Sequence, residues 1–86
     1  MDRSTRARYG RGMTTDEVKN VIEAGIEGAE ATVTDLTGTG DHFKAEVVAV
    51  AFDGKTPIQQ HKMVYEALGD LMKGPIHALQ LLTRAT

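Results

Sequence analysis

The chain has no cysteine and no tryptophan, and its aromatics are two Phe and two Tyr. Without cysteine, neither a disulfide nor a thiolate metal site can staple the fold. Serine occurs only as Ser4. A thiol nucleophile is therefore excluded, and a serine nucleophile is confined to the N-terminal segment. No apolar run approaches the ~18–20 residues of a membrane-spanning helix, and the polar N-terminus has no secretory h-region. No close carboxylate pair stands in an apolar setting, so general acid–base catalysis has no evident seat. These absences point to a soluble, non-enzymatic protein of the cytoplasm, or of an organelle in a eukaryote.

Eighty-six residues make one domain, near the lower limit for a self-supporting core. The formal net charge of −2 is unevenly spread. Residues 1–12 hold four arginines against one aspartate, whereas from Met13 onward six basic residues face eleven acidic ones. Residues 1–12 lack periodicity and end in Gly10-Arg11-Gly12. They are expected to be a disordered basic leader or an expression-derived extension, ahead of a domain spanning residues 13–86. The acidic body disfavours phosphate backbones.

Thr14 with Glu17 makes a capping box, and Val18, Val21, Ile22 and Ile26 form the stripe of a first helix. Ala31–Leu36 reads as a strand through Thr32, Val33 and Thr34. The glycines of residues 37–41 enforce a loop. A second strand is expected over His42–Phe52. Phe43, Ala45 and Val47 share one face, and the apolar second half argues for a central place. Asp53-Gly54 supplies a turn, and Thr56, Pro57 and Gln59 open a second helix. Ile58, His61, Val64, Tyr65, Leu68, Leu71 and Met72 give its apolar face, with a break expected near Gln60 and a stop at Lys73-Gly74-Pro75. A last strand over Ile76–Thr83 would carry His77 at its mouth. Two literal motifs mean little. Gly25-Ile26-Glu27-Gly28 ends the first helix, rather than joining later ones as a phosphate-clamping loop would, and Gly38-Thr39-Gly40 leads into a strand without a following Lys-Ser/Thr.

Taken in order, Asp41-His42-Phe43, Phe52-x-Gly54, Gln60-His61-Lys62-x-Val64-Tyr65 and Ile76-His77-Ala78-Leu79 resemble the BolA family across residues 13–86. The resemblance implies an α+β fold of order α-β-β-α-α-β, related to the type II KH domain, with a three-stranded mixed sheet and helices on one face. It also implies a monothiol glutaredoxin partner and a [2Fe–2S] cluster held only in complex with that partner and glutathione, none being bound by the chain alone. His77 and His42 are then the metal ligands. His61, Lys62, Gly74, Pro75 and Ala78 are the partner-facing residues, and a homodimer is a further expectation. Histidine does replace cysteine on one iron of some [2Fe–2S] clusters. For the pair to share a metal, two imidazoles placed at the two ends of the sheet's working edge must reach a common point. Flexibility of the glycine-rich loop is expected to let His42 swing toward His77.

The family pattern is not met everywhere. Its basic-His-basic triplet is Gln60-His61-Lys62 here, and the loop cysteine that some members use would lie near Thr39. The resemblance also implies an alternative, a nucleic-acid-binding regulator of stress response and cell morphology, for which Lys55 and Lys62 would be the contacts.

Overall fold

A computed structural model describes residues 12–86. The expected basic leader therefore lies outside the described residues, except for Gly12. The elements are helix α1 (Thr15–Gly25), strands β1 (Glu30–Asp35) and β2 (His42–Ala49), helix α2 (Pro57–Leu68) and strand β3 (Ala78–Ala85). A 3₁₀ turn at Val50–Phe52 follows β2, and another at Gly69–Lys73 follows α2. The sheet order is β1-β2-β3. β1 runs antiparallel to β2, and β3 runs parallel to it after the helical crossover. The fold is thus α+β with a mixed three-stranded sheet, and β2 is central as its apolar composition requires.

Both capping boxes form. Thr14 Oγ1 accepts from the Glu17 N–H while Glu17 accepts from the Thr14 N–H, and Thr56 and Gln59 repeat the exchange at α2. Each box satisfies backbone donors that the first helical turn leaves without partners. Val18 and Ile22 of α1 are buried against the sheet face formed by Phe43, Ala45, Val47 and Ala49, with Phe52, Val64, Leu68 and Ile76 closing the core. Each fully buried large side chain contributes about 1.5–3 kcal/mol through loss of apolar contact with water.

Several sequence boundaries move. β1 ends at Asp35 because that carboxylate turns to accept from the backbone N–H groups of Thr37, Gly38 and Gly40. β2 stops at Ala49 rather than Phe52. The 3₁₀ turn leaves Val50 52% exposed and drives Phe52 into the core, so one side chain is given up to bury a larger one. α2 runs unbroken through Gln60, and the break falls instead at Gly69, whose φ of +55° ends the α-helix. Ile76 is buried before β3 begins, its N–H bonded to the Leu71 carbonyl rather than to the sheet.

The inward face of α2 matches the expected one in part and differs at its edge. Gln60, Val64 and Leu68 are buried, with Met63 and Ala67 packed against the core. Ile58 is 81% exposed and Tyr65 41%. Val64, Leu68, Leu71 and Met72 of the expected stripe pack in the core or against it, but at its edge Gln60 turns inward, because that amide finds partners. Gln60 Nε2 donates to the Lys55 carbonyl at 3.0 Å, and Gln60 Oε1 accepts from the Thr83 hydroxyl at 2.7 Å. The side chain thereby ties the turn before α2 to the far end of β3.

Candidate functional site: the histidine pair at the head of the sheet

Parallel pairing of β2 with β3 puts His42 opposite Ala78, so the starts of both strands lie side by side. His77, one residue ahead of β3, is anchored by its own N–H to the Asp41 carbonyl at 2.8 Å, and the Ala78 N–H reaches the same oxygen at 3.2 Å. The two imidazoles therefore meet at one end of the sheet, not at two ends of an edge. Their ring centroids are 6.2 Å apart in a T-shaped arrangement. Both side chains stay accessible, 42% for His42 and 66% for His77. No loop swing is needed to bring them together, because strand register has already done it.

The loop beneath them is tied down. Besides the three N–H groups held by Asp35, the Met13 N–H donates to the Gly40 carbonyl at 2.8 Å. Met13 itself is buried, and Gly12 (φ +104°) comes so close to the loop that a Cβ there would lie 2.9 Å from the Thr39 and Gly40 carbonyl oxygens. Domain packing thus begins with the residues just ahead of α1.

Asp41 stands at the centre of the cluster, a role that sequence reading missed, since the residue entered only as part of a pattern. Its Oδ1 lies 2.8 Å from His42 Nδ1, and its Oδ2 lies 3.4 Å from His77 Nδ1. The Thr39 hydroxyl donates to Oδ1 at 2.5 Å and meets the Thr37 hydroxyl at 2.6 Å. The Thr39 hydroxyl and then the His42 ring hold the Asp41 carboxyl below its usual range, with smaller contributions from the positive charge the two histidines can carry. An acid immediately before a strand-opening histidine was the available signal. Its reach to His77 was not legible without the strand register.

Gly74, Pro75 and Ala78 flank this site along the chain, Gly74 and Ala78 being exposed and Pro75 half-buried. His61 and Lys62 do not join it. Neighbouring Gln60 is bonded to Thr83, five residues along β3 from Ala78, or about 16 Å at the usual rise of an extended chain. His61 is half-buried there and Lys62 exposed, as is Lys55 in the preceding turn. Thr39 turns its hydroxyl to Asp41. Among the described residues, no group of three or more His, Cys, Asp or Glu is arranged to hold a metal unaided, and no helix is long and apolar enough to cross a membrane.

The BolA-like protein family matches this chain over residues 16–86. A bolA protein homologue from Coxiella burnetii has the same fold, with a TM-score of 0.74 and 39% identity over 86% of this chain and 91% of that one. The BolA domain of SufE1 from Arabidopsis thaliana gives a TM-score of 0.73 and 25% identity, over 83% of this chain and 90% of that domain. BolA-like protein 1 of Mus musculus is 43% identical over 44 residues, which are 51% of this chain and 32% of the mouse protein. The chain thus spans about a third of the length of that mammalian relative.

Proposed function

Since the chain belongs to the BolA family, we propose that it is a non-enzymatic adaptor which pairs with a monothiol glutaredoxin and shares a labile [2Fe–2S] cluster with it, in cluster trafficking or in iron and redox sensing. The observation that carries this reading is the exposed His42–His77 pair at the head of the sheet. Two imidazoles suit one iron of such a cluster, and a chain with no thiolate can supply only part of its ligand set. The remaining ligands then come from the glutaredoxin cysteine and from glutathione. Nitrogen ligation raises the cluster's potential and makes its release sensitive to protonation, as suits cargo that is handed on. Gly74, Pro75 and Ala78 border the pair and form the adjoining contact surface for the partner. The occurrence of a BolA domain within a SufE-like protein of A. thaliana supports the view of this fold as a module working beside another protein. The cytoplasm, or an organelle in a eukaryote, is the setting proposed.

The nucleic-acid reading has less support. Lys55 and Lys62 are both exposed, but the body is acidic and no Gly-x-x-Gly joins the later helical segments.

The test is anaerobic co-purification with a monothiol glutaredoxin and glutathione. A heterocomplex absorbing in the visible is expected. His77→Ala should abolish or alter its spectrum, whereas His61→Ala should leave it unchanged. An unaltered spectrum in His77→Ala removes that residue from the ligand set.

A further inference from the structure

We propose that Asp41 is the positioning residue of the histidine pair, holding both imidazoles with Nδ1 inward so that Nε2 of His42 and Nε2 of His77 are the two donor nitrogens. The inference rests on the cluster-sharing reading and names the atoms that would serve it. A neutral imidazole has one protonated nitrogen and one with a free lone pair, and an ionised carboxylate only accepts. A ring nitrogen facing such a carboxylate therefore carries the proton, and the lone pair is left on the other nitrogen.

Here one carboxylate serves two rings, Oδ1 at 2.8 Å from His42 Nδ1 and Oδ2 at 3.4 Å from His77 Nδ1. The carboxylate is itself oriented. The Thr39 hydroxyl donates to Oδ1 and is met in turn by Thr37, while Asp35 and Met13 fix the loop that carries both threonines. The Asp41 main chain adds a second hold, because its carbonyl accepts from the His77 and Ala78 N–H groups. One residue thus holds the backbone of His77, bonds the ring of His42 and lies within ion-pair distance of the ring of His77. Thr39 acts through this carboxylate, as an orienting hydroxyl.

The test is a long-range ¹H–¹⁵N correlation spectrum of the labelled full chain without iron or glutaredoxin, roughly two pH units above the ordinary imidazole value of about 6.5. His42 and His77 are expected as the Nδ1–H tautomer. His61, which has no ion-pair partner among the described residues, is the internal reference and is expected in the Nε2–H form that free histidine favours. In Asp41→Ala both histidines should revert to Nε2–H, while the His77 amide, bonded to the main-chain carbonyl of residue 41, stays protected if the fold is kept. Either histidine in the Nε2–H form in the unmodified chain overturns the proposal, so its fate does not hang on the variant folding. Unchanged tautomers in Asp41→Ala overturn it as well. Because no cluster is involved, failure here is distinct from failure to form the glutaredoxin complex.

Discussion

Among single side chains, Gln60 shows how a polar residue earns a core position. It is only 7% exposed and sits where the family resemblance would put a basic residue. Buried amides cost stability unless both ends are bonded, and this one is bonded to Lys55 and Thr83. The loss of a positive charge at residue 60 therefore does not remove a surface anion contact, because the side chain does not face solvent. Gln60→Ala would strand the Thr83 hydroxyl and the Lys55 carbonyl, so the expected destabilisation is about 1–3 kcal/mol by urea denaturation. Glu23 performs a similar tie on α1, accepting from Lys19 and from the Ala31 N–H. The Lys19 bond first, and then the Ala31 N–H, keep its carboxyl below the ordinary range.

At the level of elements, α2 shows what periodicity leaves open. Of the stripe expected from spacings of three and four, Val64, Leu68, Leu71 and Met72 do face the core, whereas Ile58 and Tyr65 at its edge stay exposed. The packing of α2 beside β3 decided that edge, with Gln60 rather than Ile58 inward. Leu68→Ala should cost about 2–5 kcal/mol through the cavity it leaves. Ile58→Ala should stay within about 0.5 kcal/mol, as exposed positions do. Comparable losses in the two variants, measured by denaturant midpoints at constant slope, would contradict the outward placing of Ile58. Helix starts, by contrast, were legible to the residue. Thr14 and Thr56 cap locally, and their partners lie three positions away, within reach of any sequence reading.

For the molecule as a whole, the close approach of the two helices sets the shape of the domain. A Cβ at Gly25 would lie 2.7 Å from the Ala67 Cβ, so α1 and α2 can pack at this distance only with glycine there. Helix propensity alone would have Gly25 merely weaken the end of α1. Alanine has the higher helix propensity, yet Gly25→Ala should destabilise by about 1–3 kcal/mol through overpacking. Ala67→Gly in the same chain should recover part of that loss in a double-mutant cycle, which a purely local effect at residue 25 would not allow.

The amino-acid sequence by itself determined whatever depends on neighbours within one turn or one strand: both capping boxes, the loop at residues 37–41, the alternation of β2 and the helix between β2 and β3. It also carried the ordered motifs by which the family can be recognised. Tertiary structure alone decided the register of β3 on β2, and with it that His42, His77 and Asp41 share one end of the sheet. The physical reason is range. Caps and alternation are satisfied by residues a few positions apart, whereas the site joins groups 35 residues distant along the chain, whose meeting is fixed only once the helical crossover has been packed.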